Sequence, residues 1–100
     1  MATTTKALAR TAAATSSATL YTVPSSTTTV VTNIVVTNSA TSAATFTITL
    51  DGIDIFKDAA IAANTTAGFD LKQVLATTKI IAGLASATTV RFHISGVEIA

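Results

Sequence analysis

Between Thr28 and Thr37 every residue except Asn33 is β-branched. Such side chains lose rotamer freedom in a helix and pack well on a pleated surface. No other segment constrains the chain as tightly: this one must be a strand. Val30, Thr32, Ile34 and Val36 fall on one face, and Val31, Asn33, Val35 and Thr37 on the other. Branched residues on both faces predict a central strand covered on part of each side. Upstream, Leu20–Val23 reads as a short strand stopped by Pro24. Proline cannot donate to a ladder and presets φ for a turn. Leu20 to Asn38 is therefore strand, turn, strand, with no acid, base or thiol in it.

The later half builds onto this pair. Asn38 to Ser42 is a loop of turn formers. Thr45 to Leu50 alternates, with Phe46, Ile48 and Leu50 on one side and three threonines on the other, the period of a half-buried strand. Asp51-Gly52 follows, a strong two-residue hairpin signal because both residues tolerate positive φ. Ile53 to Lys57 is then the return strand, and Asp58 to Ala63 an extended edge segment. Ala67 to Leu71 reads as a short strand, with a helical turn from Asp70 to Leu75 as the alternative. Thr78 to Leu84 and Thr88 to Ile99 complete the set. In the last strand Val90, Phe92 and Ile94 share a face, but beyond Gly96 the apolar positions are Val97 and Ile99. That slip predicts a β-bulge or kink at Ser95-Gly96.

Seven or eight short strands with regular turn signals predict an all-β fold. The expected architecture is an antiparallel β-sandwich, jelly-roll or Ig-like, over residues 20–100. Residues 1–19 are Ala, Thr and Ser with two bases, Lys6 and Arg10, and hold few large apolar groups. They read as a low-complexity N-terminal arm, a flexible or extended leader; the alternative is an arm that orders only along a partner, with Lys6 and Arg10 as its candidate partner-contacting residues.

Composition narrows the function. Only 11% of residues are charged, against 22 Thr and 20 Ala. A globular domain ordinarily carries about a quarter charged residues, so this surface is mostly hydroxyl and methyl, suited to packing against neighbours. The net charge is +1 and the six bases are scattered from Lys6 to Arg91, which argues against a nucleic-acid partner. Without cysteine there is no disulfide and no thiolate metal site. No run approaches the ~18 apolar residues of a membrane helix, so no membrane partner is expected. Arg10 and the threonines interrupt any candidate secretory core near the N-terminus.

Catalytic chemistry is not expected. His93, the one histidine, sits mid-strand on the outward face with Arg91 and Ser95. It reads as a surface or interface residue. Asp51, Asp54 and Asp58 cluster at the hairpin without the spacing of a calcium loop, and the four glycines form no phosphate cradle. No catalytic residue, metal or cofactor is assigned, and the chain is read as a non-enzyme. Phe46, Phe69 and Phe92 lie on the apolar parity of their strands. Phe56 is on the opposite parity from Ile53 and Ile55, so it either covers the other side of the hairpin or meets a partner.

Leu20-Tyr21-Thr22-Val23-Pro24 with the following Thr29 to Asn38 run resembles a pattern in small structural proteins of tailed-bacteriophage virions. Ala43 to Ile48, Ile61 to Thr65, Phe92 to Glu98 and the Ala/Ser/Thr-rich leader extend the similarity over most of the chain. The resemblance implies a virion component. It favours a capsid cement or decoration protein on the capsid exterior, with the major capsid protein as partner and self-association as a dimer or trimer. A minor tail or fibre-associated role, with tail proteins as partners, is the alternative. A carbohydrate-binding or adhesion sandwich is a reading of another class, disfavoured by the absence of Trp and the single Tyr.

Overall fold

The computed structural model describes residues 3–100, and every element is a strand. In chain order these are β1 (Thr3–Ala12), β2 (Ala18–Thr22), β3 (Thr28–Asn38), β4 (Ala44–Leu50), β5 (Ile53–Ile61), β6 (Thr65–Leu75), β7 (Ile80–Ala85) and β8 (Val90–Ile99). They form two four-stranded sheets, β1-β8-β3-β6 and β2-β7-β4-β5. All pairings are antiparallel.

The order has a simple origin. β4 pairs with β5, β3 with β6, β2 with β7 and β1 with β8. These four pairs nest inside one another around the Asp51-Gly52 turn. Leu50 faces Ile53, Ile34 faces Phe69, Tyr21 faces Ile81 and Thr3 faces Ile99. The chain is thus one long hairpin. Rolling it up brings β3 against β8 and β4 against β7, which makes the two sheets of a jelly roll. Asp51 and Gly52 both have positive φ, 54° and 77°, as the two-residue turn requires.

The core lies between the sheets. Val31, Ile34, Val36, Ile48, Ile81, Val90, Phe92 and Ile94 are fully buried there. β4, and β8 as far as Ile94, alternate as their sequences predict. β6 is strand throughout, so no helical turn forms at Asp70 to Leu75. Asp58 to Ile61 continues β5 past an irregular step where Asp58 takes a φ of 46° and its N–H bonds Thr47 Oγ1 at 3.0 Å.

Two expectations are corrected. Where an arm separate from the sandwich is expected over residues 1–19, the structure places β1. Thr3–Ala12 runs along β8, and Leu8, Ala9 and Ala13 enter the core. The segment is poor in large side chains, but pairing with an existing strand edge supplies its backbone hydrogen bonds and lets small residues fill the margin of the core. The first two residues lie outside the described residues. The second correction concerns Ser95-Gly96. β8 keeps its parity there, and its neighbours are irregular at that level instead, at Ala7/Ala9 in β1 and Val31/Asn33 in β3. A Cβ on Gly96 would collide with the Val30 carbonyl oxygen and meet Leu8 Cδ1 at 2.9 Å. Glycine is needed because its neighbours crowd in.

Candidate functional site

Because β8 runs through Gly96 without a slip, Glu98 turns inward while Val97 and Ile99 stay on the outer face. Its register partners are Thr4 on β1 and Thr29 on β3, the latter wholly buried. Across the sandwich, Tyr21 of β2 is also buried. Its hydroxyl donates a short hydrogen bond to Glu98 Oε2 and lies 2.8 Å from Thr29 Oγ1. With the phenolic proton committed to the carboxylate, the threonine donates to the phenolic oxygen. Lys6 closes the group from β1, its Nζ 3.4 Å from both carboxylate oxygens of Glu98. One polar clasp thereby ties four strands and both sheets at the β1/β2 side.

The electrostatics follow from this geometry. Burial pushes the Tyr21 hydroxyl above its ordinary value of 10.0, and the adjacent carboxylate of Glu98 adds to the effect. The Tyr21 hydrogen bond holds Glu98 below the ordinary 4.5, with Lys6 contributing and burial opposing. Charge and hydrogen bonds are matched within the clasp. Its carboxylate is neither raised toward neutrality nor left free, so it lacks the poise of a general acid or base. The clasp holds strands together.

A second buried polar centre organises the loops at one end of the sandwich. Asn38 is wholly buried at the end of β3. Its Nδ2 donates to the Ser42 and Ala62 carbonyls at 2.9 and 3.3 Å. Its Oδ1 accepts from the Ala40 N–H at 3.1 Å and from Thr89 Oγ1 at 3.2 Å. Three loops are fixed by this one side chain. No buried side-chain polar atom among the described residues lacks a partner.

The residues singled out in the sequence fall as follows. Lys6 is half-exposed and engaged by Glu98. Arg10 is exposed on β1, directly opposite His93. Asp51 pairs with Lys79 at 3.6 Å and Asp58 with Lys57 at 4.0 Å. The described residues contain no group of three or more His, Cys, Asp or Glu that could hold a metal. Phe56 is corrected. It faces Ile48 across the irregular β4–β5 pairing and turns inward, its ring 5.5 Å from Phe46 and 4.5 Å from Phe69. A depression of about 380 Å³ lined by Thr32, Asp70, Leu71 and Lys72 lies where β3 and β6 lose register. Its lining brings no nucleophile up to a base.

Sequence reading missed the roles of Tyr21, Glu98 and Asn38. The clasp carried one available signal: unbroken alternation through Gly96 puts Glu98 on the core face, and a core carboxylate requires a donor. Asn38 resembles any turn former until its loops are in place.

No family model and no curated protein matches the chain. Solved structures do. One, described as the structure of infectious bursal disease virus Gx strain, aligns over 97% of this chain and 31% of that chain, at 15% identity and a TM-score of 0.52. Two others are described as pentameric capsid proteins isolated from metagenomic phage sequences. They align over 94% of this chain at 19% and 20% identity, covering 59% and 60% of those chains, with TM-scores of 0.44 and 0.41. The chain thus spans between 31% and 60% of the length of these three chains. The expected dimer or trimer is not retained, because both phage-derived structures are described as pentameric.

Proposed function

We propose that the protein is a non-enzymatic structural component of a viral capsid, acting as a cement or decoration subunit on the outside of the shell. The observation supporting this most directly is that a single jelly roll accounts for nearly the whole chain, matching the infectious bursal disease virus structure over 97% of its length. Its buried polar groups are spent on cross-linking strands and loops, and its surface is chiefly Thr, Ala and Ser. The resemblance to tailed-phage virion proteins points to the same role.

The mechanism is additive binding. A standard interface takes about 800 Å² from each partner, roughly one sixth of the 5213 Å² accessible surface of this chain. One copy therefore has area to touch more than one neighbour, and many modest contacts repeated over a shell sum to a large stabilisation. Lys6 and Arg10 on the β1 edge are candidate contacts in that interface.

The test is to mix the purified protein with shells lacking it, then measure co-sedimentation and image the particles. The expected result is density at regular shell positions and a higher temperature of genome release. Density confined to the tail would overturn the cement reading in favour of a tail-associated role.

A further inference from the structure

The chain contains two arginines and one histidine, and the fold gathers all three on one patch. Arg10 on β1 faces His93 on β8, and Arg91 lies two residues along β8 on the same outer face. All three are exposed. Directly paired residues in an antiparallel sheet have Cβ atoms ~5 Å apart, and alternate residues on one strand are ~7 Å apart. The Arg91 guanidinium is oriented by a 3.0 Å hydrogen bond from Nη1 to Ser39 Oγ.

This patch differs from most of the lysines in its lack of compensation. Lys6, Lys57 and Lys79 each lie within 4.0 Å of a carboxylate; Lys72 on β6 is the one lysine without an ion pair among the described residues. Among the described residues neither arginine takes part in an ion pair. On the same face Asp70 lies beyond β3, on a strand ~10 Å from β8 at ordinary sheet spacing, and it accepts from Asn33 Nδ2 at 3.4 Å. The floor around the patch is Val35, Thr37 and Ala12.

We propose that Arg10, His93 and Arg91 form a docking patch for a carboxylate-rich segment of a partner protein. This goes beyond the capsid reading and rests on the geometry alone. Two guanidinium forks on a flat face suit carboxylates, which they bind in bidentate fashion. A single-stranded nucleic acid would need aromatic platforms beside the cations, and Phe46, Phe56, Phe69, Phe92 and Tyr21 all face the interior. A second copy is a poor source of carboxylates: of its five acids Asp51, Asp58, Asp70 and Glu98 already have partners, which leaves Asp54, a single carboxylate on the β4–β5 hairpin, against two guanidinium groups.

The experiment titrates the full chain with an octaglutamate peptide and follows backbone and arginine side-chain NMR signals. The expected shifts cluster at Arg10, His93 and Arg91 and shrink as salt rises from about 0.05 M to about 0.3 M. The double variant Arg10→Ser with Arg91→Ser is expected to bind about tenfold more weakly or worse. A double Lys57→Ser and Lys72→Ser variant, with the same loss of net charge, is expected to bind as the parent does. A double Arg→Lys variant keeps the charge but loses the fork, and should fall between. Equal weakening in both serine pairs would overturn the patch, because net charge alone would then explain binding. A thymidine oligonucleotide binding the patch more tightly than octaglutamate would overturn the carboxylate assignment.

Discussion

The two sides of the sandwich are closed by different physics. On the β5/β6 side Phe46, Phe56 and Phe69 meet in tilted contacts with centroids 4.5–6.4 Å apart, and Phe92 reaches Phe46 edge-on at 6.3 Å. On the β1/β2 side the closure is polar: Tyr21, Thr29, Glu98 and Lys6. Aromatic packing gains from removing surface from water and tolerates small shifts. The polar clasp gains little in net energy, but leaving any member unpaired is costly. The first closure therefore supplies most of the stability. The second supplies register, because Glu98 and Tyr21 meet in only one alignment of β8 over β2.

This contrast can be broken at either side. The largest loss is expected from Phe46→Ala, which removes a fully buried ring touching three others and should cost about 3–5 kcal/mol by denaturant unfolding. Gly96→Ala should cost about 1–3 kcal/mol, because the new methyl meets the Val30 carbonyl and Leu8. A variant as stable as the parent would show that β1 and β3 can give way there. Tyr21→Phe leaves Thr29 and Glu98 each short of one partner, and about 1–2 kcal/mol is expected. Lys6→Ala should cost under about 1 kcal/mol, since its ammonium is half-exposed.

Acidity separates the two sides most sharply. The folded state holds Glu98 below its ordinary value of 4.5. Its contribution is therefore complete above that value and lost as pH falls through the folded-state value. Tyr21 is raised above 10.0, so its contribution is complete below pH 10 and lost as alkali deprotonates it. Unfolding curves of Glu98→Gln should show a flatter acid limb than the parent, whereas Phe46→Ala should be displaced at all pH values with the limb unchanged. Parallel acid limbs for parent and Glu98→Gln would remove the clasp from the account of acid stability.

How much was legible follows from the same contrast. β4, the Asp51-Gly52 turn and β8 up to Ile94 are written in local alternation, and the structure reproduces them; β3 forms where expected, but the irregular step at Val31/Asn33 exchanges its faces, so that Val31 rather than Val30 is buried with Ile34 and Val36. β1 is not, because Ala and Thr carry little period and its placement is decided by β8, some ninety residues away. Phe56 is misread because the β4–β5 pairing shifts register between Ile48 and Thr49, that is, between Asp54 and Phe56 on β5, and such a shift exchanges the faces of a strand. The clasp hides for a related reason: an apolar pattern suggests Val97 and Ile99 face inward, whereas continuous pairing puts Glu98 there. Short-range pattern reports on strands; which residues meet across the sheets is a property of the roll.

The nested pairing around Asp51-Gly52 has a kinetic consequence. The β4–β5 hairpin closes a two-residue loop, and each pair outside it then needs only a short further closure. The entropy of joining Thr3 to Ile99 is thus met in steps rather than at once. Folding should proceed from the centre of the chain outward, with β1 the last to dock and the first to leave. Substitutions in the turn, such as Gly52→Ala at its φ of 77°, should chiefly slow folding. Those in β1, such as Leu8→Ala, should chiefly speed unfolding. Stopped-flow measurements in both directions separate the two, and equal partition at the two sites would exclude a zipper.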